Sequence, residues 1–229
     1  CESVVMGTVQ LYAKGFKQTP QAEWTDSIPG SPTYGTKFVS SYHWQHFGVP
    51  VKTVRADPTF YGSYLREYFE NYNGETNSQY YQKWKNLNNA SNLVAFKGYE
   101  ITQDVPTTYT IAGKMNYCDT TIILTRKAPL VTGSTDPNIN NKYYGLGQNI
   151  FGNSYTASID ITKMNFEAQP QIEPTVYLYN TGRFTDWANT TNGGLNNGPT
   201  DLSAGQYTSI PKETASAIFD GRIPSMNGF

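Results

Sequence analysis

The residues able to do chemistry in this chain are few and poorly grouped. His43-Trp44-Gln45-His46 holds both histidines of the 229-residue sequence, and a metal site needs imidazoles that converge. In a strand, residues three apart point to opposite faces. The pair is therefore read as two strand histidines, surface or half-buried, and no metal is expected. Glu67 and Glu70 are close in sequence, and glycosidases set two carboxylates a few ångströms apart across a sugar. The same parity separates them, and the E-x-D-x-x-E spacing of jelly-roll glycosidases is absent. No G-x-S-x-G elbow, P-loop or dinucleotide fingerprint occurs. Asp136-x-Asn138-x-Asn140 opens like a calcium loop, but position six is Asn141 instead of Gly and position twelve is Gly147 instead of a bidentate Glu. A solvated, Asx-rich turn explains it better. No catalytic residue and no cofactor is expected, and the chain is not read as an enzyme.

Aromatic side chains offer the most suggestive surface chemistry. Tyr64, Tyr68 and Tyr72 fall in one row of a strand, with Tyr61, Tyr80, Tyr81 and Trp84 nearby. Flat rings stack on sugars while tyrosine hydroxyls hydrogen-bond them, so these residues are the candidate set for a carbohydrate-binding module. Cross-strand packing inside the domain accounts for the same residues, and it is the preferred explanation.

The elements that must position these groups follow from composition. With 17 Lys and Arg against 18 Asp and Glu, net charge −1, the chain has no surplus to neutralise phosphates, and nucleic acid is not an expected partner. No apolar run approaches the roughly 20 residues of a membrane span, so membrane insertion is not expected. Eighteen Tyr, 27 Thr and 20 Asn favour strands joined by polar turns. The expected fold is all-β, a β-sandwich or jelly roll of antiparallel strands, with two sandwich lobes as a variant. Cys1 and Cys118 can make one bridge at most, and their pairing stays open. A leading Cys also suits a lipid anchor, although a strand already under way at Val4 argues against a tether. Both ends read as internal cuts.

Alternation marks strands at residues 4–12, 42–51, 64–72, 93–103, 143–150, 157–161, 175–180 and 206–210. In the second of these, Trp44, His46 and Gly48 share one face, and Gln45, Phe47 and Val49 the other. Residues 80–86 are a short strand or a helical turn. Gly98 marks a bulge or a close backbone approach. Residues 107–114 and 120–127 are expected to form a hairpin. A loop at 129–142 divides a first β half, 1–128, from a second, 143–229, cut short at its end. Residues 190–205 are expected to be a mobile surface loop.

The second half, with Leu146-Gly147-Gln148-Asn149-Ile150-Phe151-Gly152-Asn153-Ser154-Tyr155, then Ile159-Asp160, Thr175-Val176-Tyr177-Leu178-Tyr179 and the closing Pro224-Ser225-Met226-Asn227-Gly228-Phe229, resembles a module of Bacteroidota surface and secreted proteins exported by type IX secretion. Those chains carry G-W-N-L-x-G-N-P-Y-x-x-x-I-D and a terminal P-x-Q-G-F. Trp44 to Pro50 and Phe96 to Ile101 resemble their upstream G-x-P and G-Y-x-I strands. Gln148, Ile150 and Ser154 depart from the usual pattern and mark a variant subgroup. The resemblance implies a non-enzymatic extracellular module, at the cell surface or secreted, acting as scaffold or adhesin. Its implied partners are other domains of a larger parent protein, with a host glycan or matrix protein outside it. It also implies O-glycosylation at Asp-Ser/Thr sites, here Ser27 and Thr120. Gly147 and Gly152 are expected where a side chain would obstruct packing, and Asn153 where the chain turns left-handed.

Overall fold

Alternation of apolar and polar side chains builds the molecule. The computed structural model describes residues 4–15, 17–25, 37–42, 44–70, 84–126, 147–166, 172–180, 206–217 and 221–229. In chain order its strands are β1 (Met6–Ala13), β2 (Lys17–Thr25), β3 (Lys37–Tyr42), β4 (Gln45–Phe47), β5 (Thr53–Arg55), β6 (Tyr64–Tyr68), β7 (Trp84–Asn86), β8 (Asn92–Val94), β9 (Tyr99–Thr102), β10 (Thr107–Lys114), β11 (Ile159–Asp160), β12 (Thr175–Asn180), β13 (Gln206–Pro211) and β14 (Arg222–Ile223). The named strands pair antiparallel throughout, in a four-stranded sheet β4-β9-β6-β7 and five two-stranded ones. The all-β sandwich expected from composition is the observed fold.

One layer is the β1–β10 ribbon, in register from Met6 opposite Lys114 to Ala13 opposite Thr107. Tyr109 and Ile111 point inward while Thr108 and Thr110 face out. The facing layer is the four-stranded sheet, whose inner residues Phe47, Leu65, Tyr99 and Ile101 join Tyr109 and Ile111 in one core with Val49, Val51, Phe60 and Leu93. Phe60 links the layers, with its ring centroid 5.6 Å from Phe47 and 5.2 Å from Tyr109. Burying side chains of this size is worth about 1.5–3 kcal/mol each. A second, smaller core gathers Ile161, Val176, Ile210, Ala215 and Ile223. The register of the β12–β13 hairpin sets Val176 opposite Ile210 on that core's side, and Tyr179 opposite Tyr207 on the other face.

Several expected elements take a different form. Residues 120–126 carry no strand, and β10 pairs with β1 instead of with them. The reason lies at the end of β10: Met115 bridges Val51 and Asn116 bridges Tyr155, so the chain is carried away from β10 before it can turn back. The strand expected at 93–103 is two. β8 pairs with β5 and β9 with β4 and β6, and Phe96, at φ 61°, turns the chain between them. β4 and β6 are shorter than the alternation suggested, and residues 80–86 end in a strand, β7. The boundary loop at 129–142, the loop at 190–205 and the Asx-rich turn at Asp136 lie outside the described residues.

The closing segment completes the sheet. Asn227 bridges Phe47 and Gly228 bridges Gly152, so residues 226–229 lie between β4 and residues 151–153. Phe151 and Phe229 exchange backbone hydrogen bonds of 2.8 Å, and the Gly48 N–H donates to the Met226 carbonyl at 2.9 Å. A Cβ on Gly152 would fall 2.2 Å from the Gly48 Cα, so at Gly152 the expectation of close packing is met. Gly147 has another cause: its surroundings are open, with nothing nearer than 3.5 Å, but its φ of +78° is left-handed. Asn153 is not left-handed, contrary to the expectation; among the described residues the left-handed non-glycine ones are Phe96 and Met226.

Candidate functional site

The outer face of the four-stranded sheet is where charge and aromatic rings gather. Register places His46 on β4 opposite Glu100 on β9, and Glu100 opposite Arg66 on β6. By the same parity Trp84 on β7 and Tyr68 on β6, which pair directly, share this face. It is not open to solvent. His46 is 8% exposed and Glu100 3%. The Tyr179 ring stacks on the His46 imidazole at 4.4 Å, and Tyr207 and Trp84 lie 5.8 and 5.2 Å away. The β12–β13 hairpin therefore covers the row with the face its own core leaves free.

The Arg66 guanidinium contacts the Glu100 carboxyl group and lies 3.7 Å from the centre of the Trp44 ring. The His46 Nε2 is 3.7 Å from a Glu100 oxygen, and its Nδ1 has no hydrogen-bond partner among the described residues. Burial, with Arg66 adding to it, lowers the His46 pKa to about 4. Burial raises the Glu100 pKa to about 7 although Arg66 pulls it down. Tyr179 and Tyr207 are raised by burial as well, with the Glu100 charge contributing. An imidazole beside a carboxyl has the makings of an acid–base pair, but the Tyr179, Tyr207 and Trp84 rings lie against the imidazole. The arrangement holds two layers together.

Four of the seven candidate aromatic residues are described. Tyr68 is buried edge-on against Trp84 at 5.2 Å, while Tyr61 and Tyr64 are 78% and 57% exposed. Tyr72, Tyr80 and Tyr81 lie outside the described residues, as do His43 and Ser27. No stacking platform is built from the four that are described, and nothing supports the carbohydrate-binding alternative. Thr120 is exposed, its hydroxyl donating to the Cys118 carbonyl at 3.2 Å. Glu67 pairs with Lys97 at 3.4 Å, and Glu70 accepts from the Gly147 N–H at 3.0 Å, so the two acids serve separate contacts. Among the described residues no group of His, Cys, Asp and Glu could hold a metal ion. Cys118 is disulfide-bonded.

Sequence reasoning overlooked Glu100, and it gave Asn153 a backbone role where the structure gives its side chain one. A glutamate between Tyr99 and Ile101, in a strand buried on both faces, signals a cation across the sheet, and Arg66 supplies it. The Asn153 side chain donates to the carbonyls of Ala157, Ile223 and Pro224 at 2.9–3.0 Å, while its own oxygen accepts from the Tyr155 N–H. Ser154 accepts from the Phe96 N–H at 2.7 Å, and its carbonyl accepts from the Asn116 amide at 3.0 Å. The segment on which the family resemblance rests is therefore the clamp between the two cores.

The comparison with known proteins bears on the chain as a whole. The chain is similar to the minor fimbrium subunit Mfa5 of Porphyromonas gingivalis. Identity is 36% over 234 aligned positions, which take in 98% of this chain and 16% of Mfa5. The chain thus spans about a sixth of that relative's length. No protein-family description matches the chain, and no solved structure does.

Proposed function

We propose that this chain is a structural, non-enzymatic β module of a larger fimbrial protein displayed on a bacterial cell surface, where it acts as scaffold or adhesin. The similarity to Mfa5 along 98% of the chain carries this reading. The clamp and the covered His46–Glu100 pair are consistent with it, because both use polar chemistry to join layers. No helix among the described residues is long and apolar enough to cross a membrane. Its partners in this reading are the rest of its own polypeptide and other fimbrial components.

Antibodies raised against the chain and applied to intact producing cells should decorate the outer surface or its fimbriae. Labelling only after the cells are broken would overturn the reading. Glycan arrays and pull-downs on matrix proteins separate adhesion from scaffolding, since silence in both leaves the scaffold. Export by type IX secretion is the finer part of the proposal: a host lacking that machinery should retain the protein inside. Modification of Thr120 belongs to it too, and intact mass of protein from its native host reads it directly.

A further inference from the structure

His46, Glu100 and Arg66 sit side by side on β4, β9 and β6, and the β12–β13 hairpin closes over them with Tyr179 and Tyr207. β7 adds only the uncharged Trp84 to this contact, and the closing segment adds Gly228. Among the described residues, the titratable or charged groups facing His46 are thus Glu100, Arg66, Tyr179 and Tyr207. A cluster taken out of water is most stable with the fewest charges in it. When it must hold one extra proton, neutral imidazole with neutral carboxyl buries a single charge, on Arg66. Imidazolium with carboxylate buries all three. Geometry makes the same choice, because the Nδ1 of an imidazolium would be an N–H with no acceptor among the described residues. With the hairpin lifted, both groups are hydrated and the order reverses, since free imidazole binds a proton more tightly than free carboxylate.

We propose that His46 and Glu100 form a proton-exchanging pair beneath the β12–β13 hairpin, so that docking moves one proton from imidazole to carboxyl without net uptake or release and is indifferent to mildly acidic pH. The bond broken is N–H on His46 and the bond formed is O–H on Glu100. Each residue alone would tilt docking, in opposite senses. His46, held at about 4 when covered against 6.5 when free, weakens docking as pH falls from 6.5. Glu100, raised to about 7 when covered against 4.5 when free, weakens docking as pH rises from 4.5. Between those two free values the slopes are one proton each and cancel.

Hydrogen exchange of the β12 and β13 amides between pH 4.5 and 6.5, corrected for intrinsic rate and referenced to β1–β10, tests this. The unaltered protein should show a flat opening constant. Glu100→Gln should raise opening about 40-fold from the neutral to the acid end, the slope nearing tenfold per pH unit only mid-window. His46→Phe should raise it about 40-fold in the other direction. A tenfold-per-unit slope in the unaltered protein, flat behaviour in both variants, or the same tilt in both would overturn the proposal. If a variant does not fold, the His46 ring resonances of the unaltered protein decide. A ring neutral down to about pH 4 supports the pair, and an imidazolium already formed at the free value of 6.5 overturns it.

Discussion

Asn153 shows how much one buried side chain can organise. It is fully buried, and its amide serves three carbonyls from two distant stretches of chain. Asn153→Ala would leave those carbonyls without a donor in the interior, at about 1–3 kcal/mol for each group that water cannot reach. A loss of about 2–4 kcal/mol in denaturant unfolding is expected, and a change below about 1 kcal/mol would show that solvent reaches the site. The two glycines nearby separate steric from conformational constraint. At Gly152 an added methyl meets backbone, which cannot step aside, so Gly152→Ala should cost about 3 kcal/mol or more. Gly147→Ala meets only an ordinary contact with the Arg126 side chain and a left-handed φ, at about 1–2 kcal/mol. Thermal melts of the two variants should rank them in that order. The sequence suggested both glycines for one reason, and the backbone supplies two.

Elements of the same composition have different fates in this fold. Residues 107–114 and 120–126 are both β-branched and alternate with threonine, and either reads as a strand. Ile111 is fully buried in β10, whereas Ile123 is 85% exposed in a segment without a strand. Ile111→Ala should therefore cost about 2–5 kcal/mol and Ile123→Ala less than about 0.5 kcal/mol. Equal costs in urea unfolding would mean that residues 120–126 pack in a way their exposure denies. Strand propensity is a local property, and pairing also needs the chain to turn back on β10, which the bridges of Met115 to Val51 and Asn116 to Tyr155 prevent. The β12–β13 hairpin shows the converse. Its bounds were legible almost to the residue, because alternation and turn residues frame it. Which of its faces would meet another sheet was not.

For the whole molecule, the decisive feature is that two cores are joined by polar contacts, while a disulfide ends at Cys118 beside the first of them. Cys118 sits just beyond β10, and the Tyr155 hydroxyl donates to its carbonyl at 2.7 Å. Reduction of its disulfide should lower stability by about 2–4 kcal/mol through the freedom returned to the unfolded chain. A melt unchanged by reductant would assign the stability to the cores alone. The cysteines could be counted in the sequence, but their pairing could not be read there.

Composition and alternation alone determined that this chain is built of strands, that it has no surplus of positive charge, and that its aromatic residues line those strands. Such properties belong to single side chains and their neighbours one or two residues away, so they survive without the fold. Tertiary structure decided which strands pair, that Glu100 would meet Arg66 and His46, and that a hairpin nearly eighty residues on from β9 would cover them. Those outcomes depend on free strand edges and on the dehydration of charges, and both exist only once distant segments have come together.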